Sequence, residues 1–178
     1  MEGNTAQQNR TAHRLLQLGV LLFLLGLLSG IVSPALANPR MGLSSHLEGV
    51  MNGTFLLILG VVWPKLVLSR RILALTYWLA IYGTFANWAA TGLAAVWGAG
   101  ASSMPIAALG HRGATGQEAV IDFLLVSLSV AMVAVCVLVL WGLRKTRLEQ
   151  VAEPGAAPER GRPAGVARPE DVADGPDK

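Results

Sequence analysis

A short polar stretch, HLEGVMNG at residues 46–53, stands at the start of a long apolar run and contains residue types that could do chemistry. His46 offers an imidazole nitrogen, which binds iron, zinc or copper. Asn52 follows six residues later with a neutral amide that can hold a polar group of a ligand. A structural zinc site needs four protein ligands, and no second histidine or cysteine accompanies His46. Haem needs only one axial histidine, so among metal groups the pattern favours haem.

Other polar residues also stand in or beside apolar runs. Asn87 and Thr91 lie in the third run, while Glu118 and Asp122 stand near the start of the fourth. Because polar groups are costly when they face lipid, we expect these side chains to face the protein interior or a cavity. If the runs are antiparallel helices, these residues and Asn52 fall in the same, outer half of a bundle. Glu48, Glu118 and Asp122 are then the candidates for moving protons.

Composition indicates which elements position these residues. The chain has 178 residues, of which 53% are hydrophobic and 14% charged, and its mean hydropathy is positive. This is typical of membrane proteins. A helix of about 20 apolar residues crosses a bilayer, and backbone amides in lipid must find partners within the protein, so long apolar runs predict helices. Four such runs occupy residues 15–36, 47–68, 72–97 and 119–143.

The sequence therefore predicts an all-α fold, a four-transmembrane-helix bundle over residues 15–147. Residues 1–14 form a predicted cytoplasmic N-terminal segment. Residues 148–178 form a predicted cytoplasmic tail, which we expect to be disordered because it contains five of the nine prolines and almost no large apolar residue. The loop over residues 97–117 is long for a bundle, so we expect it to be mobile or to cover something as a lid.

The distribution of basic residues predicts the orientation. One side of the predicted bundle has Arg10, Arg14, Lys65, Arg70, Arg71, Arg144, Lys145 and Arg147, whereas the other has Arg40 and Arg112. Because cytoplasmic loops carry the excess of Lys and Arg, both termini are expected in the cytoplasm. The first run could instead be a cleaved signal sequence, but its apolar core exceeds the usual length of about 7 to 15 residues. Nothing indicates nucleic-acid binding, because aromatic residues are not interleaved with the basic ones.

Two glycines near His46 indicate close packing. Gly49 and Gly53 have the four-residue spacing that lets two helices approach closely. The same spacing would also let a flat macrocycle lie against the helix. We therefore expect Gly49 and Gly53 to contact either a cofactor or a neighbouring helix.

Three longer segments resemble a known family. RTAHRLLQLG, ANPRMGLSSHLEGVMNG and YGTFANWAATG are similar to the hydroxylaminobenzene mutases, with the resemblance covering about residues 10–147. The same core resembles the styrene oxide isomerases more distantly, through His46, Asn52, Gly53 and Asn87.

The isomerase resemblance implies haem b, held by His46 between neighbouring subunits of a homotrimer. It also implies that Asn52 holds the substrate oxygen on the distal side of the haem. The sequence departs from the isomerases at two positions, with Thr91 where they carry tyrosine and Gly83 where they carry aspartate.

The resemblance to the mutases implies conversion of phenylhydroxylamine, a small aromatic hydroxylamine, to 2-aminophenol without net electron transfer. Iron would act as a Lewis acid, and we expect Asn52, Asn87 and Thr91 to hold the departing oxygen beside the ring. His46, Gly49 and Gly53 would bind the cofactor. Two alternatives stay open, an isomerase for aryl epoxides and a haem-binding membrane subunit without catalytic activity.

Overall fold

The computed structural model describes the backbone of residues 2–152 and the side chains of residues 6–144. Within this part of the chain the structure consists of helices, with no strands. Short 3-10 turns, Ser33–Ala35 and Trp63–Lys65, follow the first two helices. The helices are α1 Glu2–Val32, α2 Pro39–Val62, α3 Arg70–Trp97, α4 Pro105–Ala108 and α5 Thr115–Ala152.

Four of these helices are long and apolar enough to cross a membrane, which confirms the predicted fold class. Their ends extend beyond the apolar runs, because hydropathy detects only the part of a helix that suits lipid, whereas polar residues continue a helix in water. Helix α1 begins at Glu2, within the predicted N-terminal segment, and α5 continues to Ala152. The predicted disordered tail lies outside the described residues from position 153 onward.

The long helices pack in the order of the chain, with α1 along α2, α2 along α3, and α3 along α5. The contact between α1 and α2 is made by glycine. A Cβ built on Gly49 would lie 2.4 Å from Cα of Gly26, and one built on Gly53 would lie 2.6 Å from the backbone nitrogen of Phe23. No larger residue fits at either position while the helices stay at this distance, so the two backbones are in direct contact.

The buried apolar residues form two clusters at different depths. One cluster includes Met41 of α2, Ala94 of α3 and Ile121 of α5. The other cluster includes Leu56 and Trp63, together with residues of α1, α3 and α5. The polar residues of the middle of α2 and α3 lie between these clusters, so apolar packing encloses them from above and below.

Candidate functional site

Two amide side chains, one from α2 and one from α3, meet at the carboxylate of Glu48. The Nδ2 group of Asn52 donates a hydrogen bond to Oε2 of Glu48 at 3.0 Å, and Nδ2 of Asn87 donates to the same oxygen at 2.5 Å. Asn52 is buried, while Glu48 and Asn87 are half-buried. The four-residue spacing puts Glu48 and Asn52 on one face of α2, toward α3. We call Glu48, Asn52 and Asn87 the carboxylate–amide cluster.

The carboxylate–amide cluster offers hydrogen-bond acceptors to a ligand. Because both amide nitrogens donate to Glu48, each asparagine keeps its carbonyl oxygen, Oδ1, as an acceptor. Neither Oδ1 atom accepts a hydrogen bond from any side chain or backbone group in the described ranges. A ligand with adjacent N–H and O–H groups therefore finds two amide oxygens and a carboxylate within one small region.

His46 lies on another face of α2 and is held by α1. Its Nδ1 atom is 2.9 Å from the carbonyl oxygen of Gly26. A carbonyl oxygen only accepts, so Nδ1 donates its proton and Nε2 of the neutral ring keeps its lone pair. The ring packs on Gly30, where an added Cβ would lie 2.7 Å from Nδ1. Metal-binding histidines commonly have one ring nitrogen fixed by such a bond while the other binds the metal, so His46 fits an axial haem ligand.

The structure does not bring His46 and Asn52 together within one chain. Six residues at about 100° each leave the two side chains about 120° apart around α2. The contacts agree with this separation, because His46 bonds to Gly26 of α1 whereas Asn52 belongs to the cluster with Asn87 of α3. A ligand between these two side chains is therefore not enclosed by a single chain.

Gly49, Gly53 and Thr91 have contacts within the chain. The bare sides of both glycines face α1, and Cδ1 of Trp88 also lies 3.0 Å from a Cβ built on Gly49. We expected these glycines to contact either a cofactor or a neighbouring helix, and within this chain they contact helix α1. The buried Thr91 hydroxyl donates to the backbone oxygens of Asn87 at 3.0 Å and Trp88 at 3.1 Å. This hydroxyl therefore bonds to its own helix, one turn from the carboxylate–amide cluster.

Glu118 and Asp122, two of the candidates for moving protons, hold the loop between α3 and α5. Glu118 accepts hydrogen bonds from the backbone nitrogens of Gly100 at 3.0 Å, Gly113 at 2.8 Å and Ser102 at 3.1 Å. Asp122 accepts a hydrogen bond from the hydroxyl of Ser103. These contacts fasten the loop to the N-terminal end of α5. Of the three acidic candidates, Glu48 alone lies in the cluster with Asn52 and Asn87.

The sequence presents Glu48 as one of three acidic candidates and does not single it out. The available indication was its four-residue spacing from Asn52, which places the two side chains on one face of α2. Among residues 6–144, no three or more His, Cys, Asp or Glu side chains are grouped so as to hold a metal ion.

Comparison with known proteins gives consistent matches over this core. The family model described as styrene oxide isomerase matches residues 11–144. Hydroxylaminobenzene mutase HabB of Ectopseudomonas oleovorans is 56% identical over 149 residues, which cover 83% of this chain and 91% of the relative. Hydroxylaminobenzene mutase HabA of the same organism is 50% identical over 125 residues, covering 70% of this chain and 93% of the relative. No solved structure matches. The resemblance inferred from the three sequence segments is thereby confirmed.

Proposed function

Because the chain belongs to the styrene oxide isomerase family and is an isomerase of the mutase type, we propose that it converts hydroxylaminobenzene to 2-aminophenol. The substrate is proposed from the names of the two relatives, which cover most of this chain. The structural observation that carries the proposal is the carboxylate–amide cluster, in which two amide nitrogens from different helices donate to one carboxylate oxygen of Glu48.

The cluster suits the hydroxylamino group. The N–H and O–H of the substrate can donate to Oδ1 of Asn52 and Oδ1 of Asn87, which holds the oxygen near the ring as the N–O bond breaks. A held oxygen reaches the ortho carbon, whereas solvent water could attack the para carbon as well. The apolar clusters on either side of the polar residues would limit the access of competing water.

Glu48 is the group we assign to proton movement. In the rearrangement the oxygen leaves nitrogen and bonds to the ortho carbon, that carbon loses its hydrogen, and the nitrogen gains one. No electrons are lost or gained overall. A carboxylate beside the bound ring can accept the proton from carbon and return it to nitrogen. Glu118 is occupied by three backbone N–H groups of the loop and has no such role in this proposal.

The proposal includes haem b, which His46 would hold through Nε2. When bound, the iron would supply a Lewis acid that polarises the hydroxylamino group. The hydrogen bond from His46 to Gly26 and the packing of the ring on Gly30 support this assignment, because they fix the tautomer and orientation of the imidazole. Gly49 and Gly53 contribute by allowing α1 to come close enough for these two contacts.

We further propose that the enzyme is a homotrimer with haem between neighbouring subunits. His46 faces α1 and Asn52 faces α3, so the two side chains of one chain lie on different sides of α2. A site between subunits would instead combine His46 of one chain with Asn52 of its neighbour. The separation of these residues within the chain is the observation that supports this arrangement.

The four apolar helices support a location in the membrane. We propose a multi-pass protein of the bacterial inner membrane with both termini in the cytoplasm, as the basic residues near the helix ends indicate. A small aromatic substrate partitions into the bilayer and can enter the helical bundle from it.

The family match also favours a second candidate, isomerisation of aryl epoxides. The two positions at which this chain departs from those isomerases argue against it. A Cβ built on Gly83 would lie 2.6 Å from Sδ of Met132, and the Thr91 hydroxyl bonds to its own backbone. Neither position supplies the tyrosine or the aspartate that those isomerases carry there.

Assays of the purified protein with hydroxylaminobenzene and with styrene oxide separate the candidates. We expect turnover of hydroxylaminobenzene to 2-aminophenol, with much slower or no turnover of the epoxide. Preference for styrene oxide would establish the second candidate in place of the first. A haem-containing protein that turns over neither substrate would instead indicate a non-catalytic subunit.

A further inference from the structure

A cavity with both polar and apolar walls lies at the end of the molecule opposite to the carboxylate–amide cluster. Its volume is about 220 Å³, and it is bounded by the first part of α1, the turn after α2 and the start of α3. Arg14 and Arg70 contribute guanidinium groups from two different helices, and Gln7 contributes an amide. Trp63, Tyr77 and Trp78 form the aromatic wall. The proposed function uses none of these residues.

Among residues 6–144, the charged side chains that line this cavity are basic. The acidic side chains that the structure describes are Glu48, Glu118 and Asp122, and all three lie in the other half of the molecule. Arg70 is also the first residue of α3, so the positive end of that helix dipole adds to the two guanidinium charges. The cavity is therefore suited to a ligand with a negative charge.

The aromatic wall places the cavity at the depth of lipid headgroups. The rings of Trp63 and Tyr77 meet edge to face with centroids 6.3 Å apart, and those of Tyr77 and Trp78 are 5.3 Å apart. Trp63 is buried, whereas Trp78 is 66% exposed. Tryptophan and tyrosine concentrate at the membrane interface, where one end of the ring meets lipid and the other meets water.

We propose that this cavity binds the phosphate of an anionic phospholipid, with phosphatidylglycerol as the simplest example. Arg14 and Arg70 bind the phosphate, Gln7 bonds to the glycerol headgroup, and exposed Trp78 contacts the upper part of an acyl chain. Basic pockets between membrane helices on the cytoplasmic side bind such headgroups. The lipid assignment requires the proposed membrane location and orientation, but it does not depend on the reaction catalysed.

The test compares lipids and variants on the full-length protein in detergent. Thermal unfolding is followed while phosphatidylglycerol, phosphatidylcholine or inorganic phosphate is added. We expect phosphatidylglycerol to raise the unfolding temperature more than the other two. Arg14→Gln and Arg70→Gln should each weaken the apparent affinity for phosphatidylglycerol about five-fold, as expected for one basic residue at a lipid headgroup. Arg71→Gln is the matched control, because Arg71 is exposed and does not line the cavity.

Three results would overturn the proposal. Equal stabilisation by phosphatidylcholine would remove the charge selectivity, and equal stabilisation by inorganic phosphate would replace the lipid with a free anion. An equal loss in Arg71→Gln would assign the effect to diffuse surface charge. Turnover of hydroxylaminobenzene is measured on the same samples. In Arg14→Gln and Arg70→Gln we expect weaker selectivity for phosphatidylglycerol and unchanged turnover. The unfolding temperature therefore tests the lipid site, and turnover separately tests the proposed reaction.

Discussion

The imidazole of His46 donates a hydrogen bond from Nδ1 to the backbone carbonyl oxygen of Gly26 at 2.9 Å, so α1 holds a side chain of α2 in one tautomer and orientation. This bond requires the close approach of the two helices that Gly49 allows, since a Cβ at Gly49 would lie 2.4 Å from Cα of Gly26. The packing of α1 on α2 and the metal-binding capacity of His46 are therefore linked.

His46→Ala should remove haem and activity together. The side chain is half-buried and belongs to neither apolar cluster, so the helices should still insert and fold. The absorption spectrum of the purified variant reports haem, and circular dichroism reports helix content. His13→Ala is the control, because His13 is an exposed histidine near the start of α1. A normal haem band with normal turnover in His46→Ala would reject the assignment of His46 as ligand.

Gly30→Ala should disturb the same ligand through packing alone. The new Cβ would lie 2.7 Å from Nδ1 of His46, so the ring must move away from its bond with Gly26. We expect lower haem content and turnover, with a loss of stability of about 1 to 3 kcal/mol. Gly116→Ala is the matched control, because no atom outside its local surroundings lies within 4 Å of the added Cβ. Equal haem content in the two variants would show that Gly30 does not position the ring.

Glu48→Gln should lower kcat by roughly 10²- to 10⁴-fold while haem content stays normal, because the amide keeps the size of the side chain but cannot exchange a proton. Glu118→Gln tests the contrasting role. Glu118 accepts three backbone hydrogen bonds, so its variant should lose about 1 to 3 kcal/mol of stability and keep most of its kcat. If the kinetic loss occurred in Glu118→Gln and not in Glu48→Gln, the two assignments would have to be exchanged.

Co-expression tests the arrangement of subunits. Asn52→Ala alone should keep haem but lose turnover, since Asn52 belongs to the substrate pocket and not to the ligand of the iron. Mixed trimers of His46→Ala and Asn52→Ala chains should regain activity, up to about a quarter of wild type for random assembly, because some sites combine His46 and Asn52 from different chains. Mixtures that stay as inactive as the separate variants would place both residues of one site in the same chain.

The sequence was sufficient to predict the four membrane-length helices, because apolar length is a local property of the chain. It did not predict that α1 begins at Glu2 or that α5 reaches Ala152, since polar helix ends have no hydropathy pattern. The role of Glu118 was also missed. Its three partners are backbone N–H groups of a loop, and their positions depend on how that loop folds.

Sequence spacing identified His46, Asn52 and Asn87, but it could not show which of them meet. Whether a residue of α2 faces α1 or α3 depends on the rotation of α2 between its two neighbours. That rotation is set by contacts distant in sequence, such as Gly49 with Gly26 and Asn87 with Glu48. The structure therefore groups Asn52 with Glu48 and Asn87, and places His46 with α1.

The origin of the product oxygen is the most direct test of the central claim, that the chain holds the departing oxygen beside the ring in a site closed to water. Turnover of hydroxylaminobenzene is carried out in water enriched in oxygen-18, and the 2-aminophenol is analysed by mass spectrometry. If Asn52 and Asn87 hold the substrate oxygen, the product should be almost unlabelled, with little para isomer. Extensive labelling of the product would contradict the claim, because it would show that the oxygen comes from solvent.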